Sequence, residues 1–243
     1  MKFGMNSDVK IMGVVNVNED SLYAPSRAAS EDAFCRRVDS LLERGATIID
    51  IGAVSSRPGA TLVGAADEWR RLEPALHTAA RRYGGVAFSI DTFRSETALR
   101  AFEILGKYIV NDISAGAWDG AMLPLVGKLG LPYVAMHLQG TFETMHDSFL
   151  YDDVVGSVVS YFRNFEVRAK ETGIKDWILD PGFGFSKSSE DNMILLRNLP
   201  RLKEAFGRPV LVGISHKRFT TGRLEELEAM ALELGASILR THL

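Results

Sequence analysis

The chain has 243 residues, 46% of them hydrophobic and 24% charged, a composition of ordinary globular proteins that excludes a disordered or collagen-like chain. Its 28 Lys and Arg stand against 31 Asp and Glu, a formal charge of −3, so no global positive field draws it to nucleic acid or to an anionic membrane, and any anionic ligand has to be held by local groups. The single cysteine, Cys35, cannot form an internal disulfide; no window reaches the ~18 apolar residues of a membrane span, and no secretory run opens the chain, so the expected address is the cytoplasm.

Short β-branched runs alternate with longer stretches of helical period, the pattern of a parallel sheet with crossover helices. The predicted strands are, in order, 10–16, 47–52, 86–91, 108–111, 133–137, 177–180, 210–215 and 237–242. The first predicted helix places Phe34, Val38, Leu41 and Leu42 on one face, with Cys35 inside it and Gly45 as its C-cap. The second, 67–83, carries Pro74 in its interior and is expected to kink or restart there. Further helices are predicted at 95–105, 121–129, 153–172, 189–206 and 223–234, seven in all. With no linker or compositional break, residues 1–243 read as one domain of the α/β class, a (β/α)8 TIM barrel. No helix is predicted after the eighth strand, so one seam of the barrel is expected to lie uncovered.

Active sites of such barrels lie at the C-terminal ends of the strands. Here every predicted strand ends on a polar group: Asn16, Asp50, Asp91, Asn111, His137, Asp180, Ser215, and the pair Arg240 and His242. One such residue is ordinarily a helix cap, but a full ring points to a ligand-binding mouth. Asp91, Asn111 and Asp180 offer carboxylate and amide groups that match a flat heterocycle presenting donors and acceptors, and Lys217 adds a cation at the same edge. Asp180 precedes Pro-Gly and serves equally well as the organiser of that turn. Arg57, in Ser-Ser-Arg-Pro-Gly-Ala, joins Arg240 and His242 in a second, cationic cluster suited to phosphate oxygens. A Walker A loop, a His-Glu-x-x-His zinc site and a Gly-x-Ser-x-Gly elbow are absent from the sequence, and the paired glycines Gly182 and Gly184 lack the third of a dinucleotide fingerprint.

With these motifs on the page, the sequence resembles the dihydropteroate synthase family. The resemblance is carried in order by IMGVVNVNEDS (11–21), IIDIGAVSSRPGA (48–60), SIDTFR (89–94), NDISAG (111–116), PYVAMHLQGTFETM (132–145), ILDPGFGFSK (178–187), LVGISHK (211–217) and ASILRTH (236–242). It implies a cytoplasmic transferase of folate biosynthesis, joining 6-hydroxymethyl-7,8-dihydropterin diphosphate to p-aminobenzoate with release of pyrophosphate and the help of magnesium. By motif, Asp91, Asn111, Asp180 and Lys217 would hold the pterin edge, with Met136 beside it and Arg240 on its face. Asp91, Asp180, Lys217 and Arg240 are the implied catalytic groups. Asn16 would help hold magnesium, Ser56, Arg57, Arg240 and His242 the phosphates. Pro58, Phe185, Lys217 and the start of the helix after the seventh strand would receive p-aminobenzoate.

The chain departs from the family in the first loop, after the seventh strand and in the final motif. The usual Asn-x-Thr-Pro-Asp-Ser-Phe is Asn16-Val17-Asn18-Glu19-Asp20-Ser21-Leu22, and the usual Ser-Arg-Lys-Ser is Ser215-His216-Lys217-Arg218. The final family motif stops at His242-Leu243, which weakens the homodimer that the family implies. Two other readings stand beside the synthase: a weakened relative that binds a pterin as a regulatory protein, and a pterin-dependent methyltransferase barrel.

Overall fold

Alternation of side chains along a strand sends every second residue to the same face, and here it builds the barrel in layers. The computed structural model describes residues 9–17, 27–147 and 149–243, so Asn18 to Leu22 of the altered first loop lie outside the described residues. The strands are β1 (Lys10–Asn16), β2 (Ile48–Gly52), β3 (Ala87–Asp91), β4 (Ile109–Asp112), β5 (Tyr133–Met136), β6 (Trp177–Asp180), β7 (Leu211–Val212) and β8 (Ile238–Thr241). All pair in parallel in the order β6-β5-β4-β3-β2-β1-β8-β7. A bridge between Leu179 and Val210 joins the two ends, closing the ring of a (β/α)8 barrel.

One side chain from each strand enters an apolar plug: Met12, Ile48, Ala87, Ile109, Val134, Ile178, Leu211 and Ile238. Two residues further along stand Val14, Asp50, Ser89, Asn111, Met136, Asp180, Gly213 and Arg240. The same parity that buries the plug therefore carries polar groups into the barrel above it. The opposite faces of the strands, including Ile49, Ile51, Phe88, Ile90, Val110 and Leu179, pack in the large core beneath the helices. Each such buried aliphatic side chain contributes about 1.5–3 kcal/mol.

The helices are α1 (Arg27–Glu43), α2 (Ala65–Arg82), α3 (Ser95–Leu105), α4 (Met122–Leu129), α5 (Val154–Thr172), α6 (Ser189–Arg197), α7 (Leu199–Phe206) and α8 (Leu224–Glu233). Among the described residues none is long and apolar enough to cross a membrane. Two expectations are corrected. The second helix does not restart at Pro74: α2 is continuous, held through the proline by its buried face of Leu72, Ala75, Leu76 and Ala79. The predicted helix 189–206 is two helices that part at Asn198. Pro200 sits in the first turn of α7, where its missing N–H breaks no helical bond, and a Ser188–Asp191 capping box starts α6.

β7 is also shorter than predicted. Pro209, just before it, has no N–H, and the Lys217 N–H closes a turn onto Ile214 O at 3.3 Å, which takes Ser215 out of the sheet.

Candidate active site

Arg240 is the centre of the polar layer. Its Nε donates to Asp50 Oδ2 at 2.7 Å and its Nη2 to Asp91 Oδ2 at 2.9 Å, so β8 is tied to β2 and β3. Asp50 is fully buried and also accepts from Asn111 Nδ2 at 3.2 and 3.3 Å, which adds β4. Burial opposes the charge on Arg240, but the carboxylates of Asp50, Asp91 and Asp180 outweigh it and hold the guanidinium cationic.

Burial dominates the acids that remain. It pushes Asp91 up to about 7, with Arg240 pulling the other way and Asp50, Glu68 and Asp112 adding to the rise. It pushes Asp180 up to about 6, against the Gly182 N–H at 2.8 Å and the charges of Arg240, Lys187 and Lys217. Lys217 is lowered to about 8 by burial and by Arg240, with Asp180 and Asp91 opposing. Carboxyl groups poised near neutrality, beside the Asn111 amide, can accept or donate toward a heterocyclic edge.

The turn after β6 fits against its neighbours without room for side chains. Gly182 has φ +72, and a Cβ there would lie 2.0 Å from His137 O; Gly184 has φ +76, and a Cβ would meet Lys217 Cδ at 2.6 Å. The tight turn sets Phe185 under the Lys217 ammonium, with Nζ 3.9 Å from the ring centroid. Lys187 is buried below, donating to Gly182 O at 3.0 Å and Phe185 O at 3.1 Å, and burial lowers it to about 7.

These groups open into a cavity of about 1140 Å³. Asn16, Ser56, Arg57, Pro58, Asp91, Asn111, Met136, Asp180, Phe185, Lys217, Arg240 and His242, every residue to which the resemblance gives a ligand role, line it together. The helix after β7 begins only at Leu224, beyond a 3₁₀ turn at Arg218–Thr220, and Gly222 and Leu224 also reach the cavity.

His137 is not part of this ring. It lies one residue beyond Met136, so strand parity turns it outward, where its ring packs edge-on against Tyr161 of α5 at 4.9 Å. Asp50 had no assigned role, although its neighbours did, because its partners are 61 and 190 residues away. Asp112 is another buried carboxylate of structural use: it accepts from Tyr133 Oη, Ser114 N and Oγ and Gly116 N, fixing the NDISAG loop. His146 also lines the cavity, stacked on Phe185 at 5.2 Å with Nε2 2.7 Å from Ser56 O, so it joins the loops after β2, β5 and β6. No motif carried it.

The barrel thus holds a polar floor and a cationic rim over one cavity. The family described as pterin binding enzyme matches residues 12–242, and the chain belongs to that family. A dihydropteroate synthase of Streptococcus pyogenes is 37% identical over 257 residues, covering 99% of this chain and 92% of the relative. A mitochondrial folate synthesis bifunctional protein of Pisum sativum is 38% identical over 86% of this chain, which spans 43% of that longer relative. The solved dihydropteroate synthase of Xanthomonas albilineans with 4-aminobenzoic acid superposes with a TM-score of 0.84 at 37% identity, covering 96% of this chain and 87% of that one.

Proposed function

We propose that this chain is a dihydropteroate synthase, a transferase of folate synthesis that joins a dihydropterin diphosphate to p-aminobenzoate. The observation that carries the reading is the set of Asp91, Asn111 and Arg240 lining one cavity, Asn111 and Arg240 joined to the buried Asp50, with Arg57 and His242 lining the same cavity. A donor and acceptor edge for a pterin and a cationic corner for a diphosphate are thus held in one chamber. The amine nitrogen bonds to the pterin methylene carbon, the C–O bond breaks, diphosphate leaves with the electron pair, and the amine releases a proton.

The chain's residues divide this work by position. Asp91, Asn111 and Asp180 orient the heterocycle over Met136. Arg240, already held by Asp50 and Asp91, cannot swing away and so presents a fixed guanidinium plane inside the cavity. Arg57, Ser56 and His242 stabilise the charge that develops on the departing oxygens. Phe185, Pro58 and Lys217 form the wall for the arylamine, with the ammonium available to its carboxylate.

Magnesium fits this site as a companion of the diphosphate. Asn16 lines the cavity, and its amide is a neutral oxygen ligand of the kind a hard cation accepts. Asn16 would hold the ion, which would supply positive charge to neutralise the leaving group.

The test is direct. Incubation with 6-hydroxymethyl-7,8-dihydropterin diphosphate, magnesium and p-aminobenzoate is expected to give equal amounts of dihydropteroate and pyrophosphate, both dependent on the amine. Tight pterin binding without product at high protein concentration would overturn the assignment.

A further inference from the structure

The loop after β5 is a closed turn. Thr144 N donates to Thr141 O at 3.2 Å and Asp147 N to Thr144 O at 2.9 Å, while Thr141 N donates to Thr144 Oγ1 at 2.9 Å. From this turn Phe142 and Met145 are buried in an apolar cluster with Ile113, Met136 and Phe185. Its backbone is then tied to the loop after β6, where Ser186 N donates to Met145 O at 2.8 Å. His146, the next residue, is thereby carried on a fixed base to the wall of the cavity.

This one side chain is engaged twice. Its ring lies on that of Phe185, 5.2 Å between centroids at 27°. A carbonyl oxygen only accepts, so Nε2 is the donor in its 2.7 Å contact with Ser56 O, 90 residues back in the chain. The segment 55–60 that carries Ser56 has local bonds of its own, Arg57 N to Ser55 Oγ at 3.4 Å and Ala60 N to Arg57 O at 3.0 Å. The far end of the same loop is held by Arg94 Nη2 donating to Val63 O. The contact with His146 ties its near end across to the loops after β5 and β6.

That tie sets where two walls of the cavity stand. Phe185 has the Lys217 ammonium 3.9 Å from its ring centroid, and Pro58 stands two residues after Ser56. Pro58 is a rigid ring that cannot follow a displaced ligand, whereas Arg57 is long and exposed and can reach an anion from several backbone positions. A shift of 55–60 relative to Phe185 therefore acts on the flat, apolar part of a ligand more than on its phosphates. The floor is built separately, by Asp50, Asp91 and Arg240.

We propose that His146 is a positioning residue for the arylamine: by donating to Ser56 O while stacked on Phe185, it sets the spacing between the two walls of the amine slot. The proposal rests on the synthase reading and adds to it a residue that acts through Ser56 and Phe185.

The test compares the parent with His146→Ala, with His146→Gln, which keeps a donor without the ring, and with His146→Phe, which keeps a ring without the donor. With each substrate varied in turn, KM for p-aminobenzoate is expected to rise on the order of tenfold in His146→Ala, with kcat and the KM for the dihydropterin diphosphate within about threefold of the parent. His146→Gln should recover most of that loss and His146→Phe little of it. Hydrogen exchange of the peptide covering 54–60 should quicken in the Ala and Phe variants and stay near parental in the Gln variant. A side chain that served stability alone would lower kcat and Tm and leave both KM values in place. An unchanged amine KM in His146→Ala, an equal rise in the diphosphate KM, or equal amine KM values in the Gln and Phe variants would overturn the role. If the parent makes no dihydropteroate, the synthase reading falls and takes the amine role with it; exchange at 54–60 unmoved in His146→Ala would by itself sink the tie between the loops.

Discussion

Asp50→Ala is the most informative single substitution, because Asp50 touches no solvent and yet organises three strands. The change removes the 2.7 Å contact to Arg240 Nε and the acceptor for Asn111 Nδ2. Taking one partner from a buried ion pair costs about 3–5 kcal/mol. Arg240 keeps Asp91 at 2.9 Å and its side chain is 23% exposed, which places this cost near the lower end, about 3 kcal/mol. The lost acceptor of Asn111 adds about 1 kcal/mol. For a chain of this size the sum corresponds to a fall in Tm of roughly 8–16 °C. Asp50→Asn preserves the shape and one hydrogen bond and should lose about half as much. Urea and thermal unfolding of the parent and both variants measure this directly. An Asp50→Ala chain within about 1 kcal/mol of the parent would show that Arg240 is held by something other than this network. Loss of the Asp50 charge also removes one cause of the raised Asp91 carboxyl, so the pH midpoint of pterin binding should move down.

Three further outcomes are expected. Asp91→Asn and Asp180→Asn should each abolish measurable pterin binding by calorimetry; unchanged affinity in both would refute the assignment of the heterocycle to this floor. Gly182→Ala should cost more than about 3 kcal/mol and collapse the turn that carries Phe185, because the new Cβ meets a backbone carbonyl at 2.0 Å; near-parental urea stability would contradict that geometry. Lys187 binds its proton less tightly folded than unfolded, with a folded value of about 7. Between that value and the unfolded value near 10.4, the unfolded state holds more protons, so its contribution to stability increases with pH. Unfolding free energy measured from pH 7.5 to 9.5 should therefore rise, and rise less in Lys187→Met; parallel curves would refute the buried, readily neutralised lysine.

The sequence by itself determined the barrel and its polar mouth. Strand residues alternate with a period of two, so once Met12, Ile48, Ile109 and Ile178 are buried in the plug, Asn111 and Asp180 must point the same way two residues later. The motifs at the strand ends were legible because a parallel barrel gathers those ends on one face whatever their separation in the chain. Only the tertiary structure decided which polar residues meet. His137 and Met136 are adjacent in sequence, and a single step of parity puts one against α5 and the other in the cavity. Asp50, Asp91 and Arg240 come within hydrogen-bonding reach because β8, last in the chain, pairs directly with β1, with β2 and β3 next around the ring. The break at Asn198 was likewise hidden, since a proline and a helical period are compatible with one kinked helix or two. Local period fixes the direction of each side chain, while its partners, its burial and its affinity for a proton depend on groups far away in the chain.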